Sequence, residues 1–207
     1  MTEITQGSDF WKRMRLGKVT ASRVFSIIDT DRSGKPKAER ANYMHELAIE
    51  RLTQVPTENV VNRFMANGTR QEPIARVTYS LLHDVKVHQV LFVDHPEIQN
   101  SGYSPDGLVG DGLIEIKAPQ LKTHCEYLLS EKVPPQYLTQ IHWGFACMPE
   151  RNWCDFISYC DQAPTELRMW VKRIERDDAF VKRLEDEVIK FLAELDDLTE
   201  RLQAKFN

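Results

Sequence analysis

Residues 104–117 constrain the fold and the chemistry of this chain more than any other segment. They read Ser-Pro-Asp-Gly-Leu-Val-Gly-Asp-Gly-Leu-Ile-Glu-Ile-Lys, and the Gly-Asp-Gly at 110–112 is typical of a tight hairpin between two strands. Residues two apart on a strand point to the same face, so Glu115 and Lys117 share one face. The hairpin folds Asp106 back beside them. The sequence therefore predicts two carboxylates and an amine on one small patch.

These three side chains form a set suited to metal-assisted hydrolysis of a phosphate ester. The carboxylate oxygens of Asp106 and Glu115 are ligands that Mg²⁺ prefers, and the backbone carbonyl of Ile116 can add another. Lys117 can position or deprotonate the attacking water, or offset the charge that grows on the phosphorus. The alternative is surface charge that flanks a buried hairpin. The apolar residues that alternate with Glu115 and Lys117 favour the functional interpretation.

The rest of the chain alternates between helical and strand-like patterns. Helices are predicted over 8–15, 20–28, 38–52, 64–82 and 134–148, and strands over 85–93, 103–109, 113–117 and 153–159. The fourth helix should become regular near Thr69, because Gly68 and Pro73 lie near its start. This order predicts an α/β (α+β) domain in which helices flank a small central mixed β-sheet.

The pattern is strongly helical from Thr165 onward. An apolar stripe recurs at steps of three and four residues: Leu184, Val188, Phe191, Leu195, Leu198 and Leu202. We therefore predict one domain over 1–207, in which 165–207 forms a long C-terminal helical extension. The stripe can pack on the core of its own chain, on a second subunit or on a partner, and the sequence leaves the three open.

Composition excludes several classes of protein. No apolar stretch approaches the roughly 18 residues that span a bilayer, and the polar N-terminus has no signal-peptide core, so a cytoplasmic location is expected. No GxxxxGK[ST] loop is present, which argues against ATP-driven translocation. The net charge is −4, yet Lys and Arg are in excess over the first 77 residues. An anionic substrate is expected to bind most favourably to this part of the chain.

Four motifs, taken together, resemble those of the phage lambda exonuclease and YqaJ-type viral recombinase family, within the PD-(D/E)xK nuclease superfamily. They occur in the family's order and span residues 15–140. The four are Arg15-Leu-Gly-Lys-Val-Thr-Ala-Ser22; Gly68-Thr-Arg-Gln-Glu72 with Ala75 and Tyr79; Pro105-Asp106 with Glu115-Ile116-Lys117; and Pro135-Gln-Tyr137-Leu-Thr-Gln140. The resemblance implies a restriction-endonuclease-like core.

The resemblance also implies roles for the residues that match the motifs. Asp106 and Glu115 would be the principal metal ligands, and Lys117 would orient the nucleophilic water. Glu72 would help to bind a second metal ion or its waters. Gln140 would contact the site from the facing helix. For Glu72 the alternative is an exposed helix charge.

The first motif is suited to binding an anion. Ser22 can begin a helix, where free backbone N–H groups and the helix dipole favour an anion, and the forked guanidinium of Arg15 suits phosphate. In the family these positions hold the 5′-terminal phosphate of DNA. The alternative is a simple helix cap at Ser22 and a surface charge at Arg15. Tyr137, one turn before Gln140, would contact the substrate, and the alternative for this pair is ordinary helix packing.

The resemblance implies a Mg²⁺-dependent 5′→3′ exonuclease that acts on linear double-stranded DNA. It would bind two Mg²⁺ ions, with Mn²⁺ as a substitute, and would leave 3′ single strands for phage-type recombination by strand annealing. Expected partners are DNA ends, two further copies in a ring-shaped homotrimer and a phage single-strand annealing protein in the bacterial host. The alternatives are a PD-(D/E)xK endonuclease of restriction or repair type, and a non-catalytic scaffold that binds DNA ends.

Overall fold

The computed structural model describes residues 5–57 and 63–205, without the side chains of 63–69. Its helices are α1 Asp9–Arg15, α2 Ala21–Ile28, α3 Ala38–Thr53, α4 Arg63–Leu82, α5 Leu121–Ser130, α6 Pro135–Cys147 and α7 Asp178–Gln203. Its strands are β1 Val19–Thr20, β2 Val93–Asp94, β3 Ser101–Tyr103, β4 Gly107–Val109, β5 Gly112–Lys117, β6 Trp153–Tyr159 and β7 Met169–Glu175.

Two small mixed sheets organise the molecule. The larger has the strand order β4-β5-β6-β7, and its β5 and β6 run parallel while the two outer pairs are antiparallel. The smaller has the order β1-β3-β2, with β1 parallel to β3. The predicted mixed α/β fold with helices around a small sheet and a long C-terminal helix is confirmed.

Alternate residues of β5 face two different cores. Leu113 belongs to a large core with α2, α3, α6 and α7, and Glu115 points to the same face. Ile114 and Ile116 belong to a second core, where they pack with Ala75 and Tyr79 of α4. Both faces of the central strand are therefore covered, which explains why its charged residues lie in a strand that is otherwise apolar.

The stripe of α7 packs on the core of its own chain. Leu184, Val188, Phe191 and Leu195 are fully buried, and the ring of Phe191 stacks on Tyr43 of α3 at 5.6 Å between centroids. Among the three interpretations that the sequence leaves open, the structure shows internal packing. Burial of four large apolar side chains, each contributing about 1.5–3 kcal/mol, makes α7 part of the fold.

The prediction of an all-helical segment from Thr165 onward is wrong. Only a 3-10 turn at Thr165–Leu167 follows β6, after which β7 pairs with β6 along its whole length and α7 begins at Asp178. The segment Met-Trp-Val-Lys-Arg-Ile-Glu contains aromatic and β-branched residues that suit an outer strand. Asp177 then caps α7, because its side chain accepts the N–H of Phe180 at 3.0 Å.

Three further boundaries differ from the predictions. The strand predicted over 85–93 is only a bridge between His88 and Leu108, followed by β2. The strand predicted over 103–109 is divided into β3 and β4, which belong to different sheets. Helix α4 is already regular at Arg63 and includes Pro73.

Helix α5 has no counterpart among the predicted elements. No helix in the described part of the chain is long and apolar enough to cross a membrane.

Candidate active site

Asp106 lies in the turn that joins the two sheets, between β3 and β4. Its Oδ2 accepts the backbone N–H of Ile116 at 2.6 Å, so the carboxylate is tied to β5 across the hairpin. Burial raises the pKa of Asp106 well above its usual value, and the negative charges of Glu115 and Glu72 raise it further. The charge of Lys117 and the Ile116 N–H oppose this rise only in part.

Glu115 is fully buried, and both of its carboxylate oxygens accept hydrogen bonds. Tyr103 donates its phenol to Oε2 at 3.0 Å, while Gln140 donates its side-chain amide to Oε1 at 2.6 Å. Lys117 Nζ lies 2.7 Å from the same Oε1. Three donors therefore fix the orientation of this carboxylate, which a buried charge requires.

Lys117 is held as an ammonium ion. Burial alone would lower its pKa, but the carboxylates of Glu115 and Asp106 outweigh burial and raise the pKa above the usual lysine value. Its Nζ also lies 5.0 Å from the ring centroid of Tyr137, in a cation–π contact. A protonated Lys117 donates hydrogen bonds and carries positive charge, which suits water positioning and charge stabilisation.

Glu72 reaches the site from α4, together with an arginine one turn later. Arg76 forms an ion pair with Glu72 and donates its Nε–H to the backbone carbonyl of Asp106 at 2.8 Å. Helix α4 thus supplies the carboxylate of Glu72 and, through Arg76, a hydrogen bond that clamps the turn that carries Asp106. Spacing of four residues on a helix places both side chains on the same face.

Arg15 lies at the end of α1, and Ser22 in the first turn of α2. The guanidinium of Arg15 stacks over the ring of Trp11 at 4.0 Å and contacts the hydroxyls of Ser104 and Thr20, each at 3.4 Å. Burial lowers the pKa of Arg15 from its usual value. Ser22 is exposed, and the side chain of Thr20, the residue before α2, makes no capping hydrogen bond to the helix.

A single small cavity of about 140 Å³ connects these groups. Its lining comprises Gln6, Arg15, Thr20, Ala21, Ser22, Glu72, Tyr103, Ser104, Asp106, Glu115, Ile116, Lys117 and Gln140. The structure thus brings together all the predicted site residues except Tyr137, which is not among the lining residues. The ring of Tyr137 lies beside Lys117 and stacks on Phe156 at 5.5 Å.

Sequence reasoning missed several residues of this cavity and its walls. Tyr103 and Arg76 hold the carboxylates, Trp11 supports Arg15, and Ser104 and Gln6 line the cavity. Ser104 directly precedes the Pro-Asp pair, so the motif itself pointed to it. Arg76 lies within the second motif, four residues after Glu72, and this spacing on a helix was a signal for it. Tyr103, Trp11 and Gln6 lie outside the motifs, and only the tertiary structure brings them to the cavity.

The residues present fit a hard divalent cation. Asp106 and Glu115 place two carboxylates on one polar cavity. Burial and the negative charge of Glu115 raise the pKa of Asp106, and a bound cation would offset this accumulation of negative charge. The described residues contain no group of three or more His, Cys, Asp or Glu side chains placed to hold an ion. Mg²⁺ suits this arrangement, because it binds through one or two carboxylates and keeps several waters.

The comparison with protein families identifies the chain. Residues 10–148 match the model of the YqaJ-like viral recombinase domain, which covers more than half of the sequence. The chain belongs to this family. The matched region contains every residue of the cavity lining except Gln6, and ends just beyond α6.

Solved structures of exonucleases agree with this assignment. An alkaline exonuclease (LHK-Exo) from Laribacter hongkongensis is 44% identical over 96% of this chain and 97% of its own, with a TM-score of 0.88. The same exonuclease in complex with dAMP gives a TM-score of 0.89.

A phage related exonuclease from Haemophilus somnus 129PT shares the fold, with a TM-score of 0.74 at 14% identity over 89% of this chain and 96% of its own. A search of curated proteins found no significant match. Together, the family and the 44%-identical relative support a DNA exonuclease role for this recombinase-family chain.

Proposed function

We propose that this protein is a Mg²⁺-dependent 5′→3′ exonuclease that degrades one strand of linear double-stranded DNA and leaves 3′ single-stranded ends. One observation carries the proposal: the cavity that contains Asp106, Glu115 and Lys117 also contains Arg15 and Ser22. An anion-binding end beside a hydrolytic centre suits an enzyme that binds a terminal phosphate and cuts a short distance from it.

The Arg15 end of the cavity supplies the groups that a terminal phosphate needs. The guanidinium offers a fork of donors, and the first turn of α2 offers backbone N–H groups. Trp11 and Ser104 restrict the rotamers of Arg15, so less side-chain entropy is lost when a phosphate binds. We assign the 5′-phosphate to this end, with Arg15 and Ser22 as its ligands.

The carboxylate end supplies the hydrolytic groups. Mg²⁺ bound by Asp106 and Glu115, with the Ile116 carbonyl and with Glu72 toward a second ion, would polarise the phosphate and lower the pKa of a water. Mn²⁺ is expected to substitute. The Lys117 ammonium orients the water and offsets charge on the phosphorus, and Gln140 keeps Glu115 in place.

The choice of the bond that breaks explains how the reaction can repeat. Water attacks the phosphorus, the P–O3′ bond breaks, and the departing O3′ takes up a proton. The released mononucleotide keeps its original 5′-phosphate, and the shortened strand has a new one that Arg15 can bind. The solved complex of the related alkaline exonuclease with dAMP is compatible with release of mononucleotides.

We extend the proposal to assembly and biology on the basis of the family. A ring-shaped homotrimer around the DNA would keep the enzyme on its substrate without ATP. The exposed 3′ strand would pass to a phage single-strand annealing protein for recombination in the cytoplasm of the bacterial host. The assembly is tested by the mass of the full-length chain in solution, measured by light scattering. A monomer at working concentration would contradict the ring.

Strand-specific digestion tests the activity directly. Linear duplex labelled at each 3′ end, with 5′-phosphate or 5′-hydroxyl termini, is incubated with Mg²⁺ and without ATP beside closed circular duplex. We expect the 5′-ended strand of the linear duplex to be degraded, and to be degraded faster when it carries a 5′-phosphate than a 5′-hydroxyl. The closed circular duplex should stay intact. Cutting of the circle would instead establish an endonuclease, and no loss of either DNA would leave an end-binding scaffold.

A further inference from the structure

Two adjacent side chains of helix α3 form hydrogen bonds with the backbone of Gly17. Glu50 accepts the N–H of Gly17 at Oε2, at 2.9 Å, and Arg51 donates its Nε–H to the carbonyl of the same residue at 3.0 Å. Gly17 has φ +66, and a Cβ built there would lie 2.7 Å from Cγ of Arg51. The turn therefore needs glycine both for its conformation and for the close approach of α3.

Glu50 is buried, and its second oxygen is also engaged. Oε1 accepts the N–H of Thr57 at 2.8 Å, so one carboxylate joins the Gly17 turn to the chain that leaves α3. The neighbouring Arg51 reaches Asp196 of α7 at 2.5 Å. The turn is thus anchored through α3 to the long C-terminal helix.

The anchored turn carries Arg15. The N–H of Lys18 donates to the carbonyl of Arg15 at 3.0 Å, which closes the turn over 15–18 around Gly17. The direction of the backbone at Gly17 determines how α1 ends. It therefore determines the position of the Arg15 backbone, from which the side chain extends toward the cavity. Trp11 and Ser104 then hold only the far end of that side chain.

We propose that Glu50 is a positioning residue for recognition of the DNA end: it holds the turn over 15–18 so that Arg15 faces the cavity. Glu50 does not line the cavity and touches no reacting group. The inference rests on the proposed function, because it assumes that Arg15 binds the terminal phosphate. It assigns a specificity role to a helix outside the four motifs.

The loss of positioning and the loss of negative charge in Glu50→Gln have opposite expected effects on recognition of the 5′-phosphate. An amide can accept a hydrogen bond only at its oxygen, so one of the two N–H groups would face the NH₂ and lose its acceptor. This frees the Gly17 turn or the Thr57 segment. Removal of a negative charge near Arg15 would, by itself, favour an anion there. A fall in phosphate recognition therefore reports position rather than charge.

The test compares kcat/KM for linear duplexes with 5′-phosphate and 5′-hydroxyl ends, using the full-length chain with Mg²⁺. We expect Glu50→Gln to lower the phosphate-to-hydroxyl ratio roughly tenfold while hydrolysis of the hydroxyl end stays within about twofold of wild type. Glu46→Gln is the matched control, because Glu46 lies one turn earlier on α3 and pairs with Arg23 at 3.0 Å. Its ratio should not fall.

Gly17→Ala perturbs the same turn directly, at the residue that Glu50 binds. It is the second test, and it replaces Glu50→Gln if that variant does not fold. It should lower the same ratio, since alanine is strained at φ +66 and crowds Arg51. An equal loss on both DNA ends in either variant, or a ratio that neither variant lowers, would overturn the role of Glu50. A wild-type chain that treats both ends alike would instead refute the proposed recognition of the 5′-phosphate.

Discussion

The phenol of Tyr103 donates a 3.0 Å hydrogen bond to Oε2 of Glu115, and both side chains are fully buried. This contact is made from β3, in the smaller sheet, to β5, in the larger one. The orientation of the carboxylate therefore depends on how the two sheets are joined at the turn that carries Asp106. Burial and the adjacent Glu115 raise the pKa of Tyr103 well above its usual value, so its proton stays on the phenol at working pH.

Tyr103→Phe should remove this hydrogen bond and keep the packing of the ring. A hydrogen bond to a charged group contributes about 1.5–3 kcal/mol, so we expect kcat to fall roughly tenfold and the protein to lose about 1.5–3 kcal/mol of stability. Tyr79→Phe is the control, because Tyr79 donates to the carboxylate of Asp155 at 2.7 Å on the other face of the sheet. It should lose stability alone. Equal kcat losses in the two variants would refute the assignment.

The same contact shows how far the sequence could be used to predict the site. Local spacing on β5 placed Glu115 and Lys117 on one face, and the hairpin brought Asp106 to them, as the structure shows. Tyr103 lay inside a predicted strand that ran through to Val109. The chain instead changes sheets at 104–106, where Gln6 and Arg76 bind the backbone. These partners are distant in sequence, and no local pattern predicts them.

The C-terminal region illustrates a second limit. Helical periodicity correctly predicted the stripe of α7, which depends on local spacing alone. The strand β7 was missed because its stability comes from pairing with β6, and because its residues lack the apolar–polar alternation that predicts a half-buried strand: three apolar residues are followed by the adjacent charges Lys172 and Arg173. Tertiary context decides between the two forms for a segment this short.

Lys117→Met should remove the ammonium ion and keep most of the side-chain volume. Because Lys117 contacts Glu115 in the cavity and is proposed to orient the water and to offset charge on the phosphorus, we expect kcat to fall by about 10³-fold or more. The KM for DNA should change little. Lys122→Met, at an exposed position on α5, is the control and should keep full activity. Robust digestion by Lys117→Met in a preparation free of other nucleases would contradict the catalytic role.

Asp106→Asn should stabilise the protein while it abolishes hydrolysis. The folded state raises the pKa of Asp106, so the unfolded chain loses this proton at a lower pH, and the stability of the wild type declines as the pH rises above the unfolded value of about 4. Asparagine carries no charge, and its oxygen can still accept the Ile116 N–H. In metal-free buffer we expect its melting temperature to exceed that of wild type by a margin that grows from pH 4 toward neutrality. A margin that shrinks with rising pH would show that the Asp106 carboxylate is not destabilised by burial and by its acidic neighbours.

Divalent cations should stabilise the wild type in the absence of DNA. A ligand that binds only the folded state adds RT ln(1 + [L]/Kd), which is about 2.7 kcal/mol at one hundred times Kd. Mg²⁺ or Mn²⁺ should therefore raise the melting temperature of the wild type and of Lys117→Met, which keeps both carboxylates, but not that of Glu115→Gln. Ca²⁺ titrated in parallel reports binding by another hard cation. Equal stabilisation of Glu115→Gln would place the ion elsewhere.

Arg76→Lys tests whether the arginine of α4 acts through geometry or only through charge. Arg76 pairs with Glu72 and also donates to the carbonyl of Asp106 at 2.8 Å, a pair of contacts that requires a fork of donors. A lysine keeps the charge but offers a single nitrogen, so it can serve one partner well. We expect kcat to fall about tenfold, a higher Mg²⁺ concentration at half-maximal rate, and a nearly unchanged KM for DNA. Arg70→Lys, whose guanidinium pairs with Asp161 at 2.7 Å outside the cavity lining, should keep the wild-type Mg²⁺ dependence. If Arg76→Lys also keeps it, charge alone suffices at this position, and the clamp on the Asp106 turn has no part in metal binding.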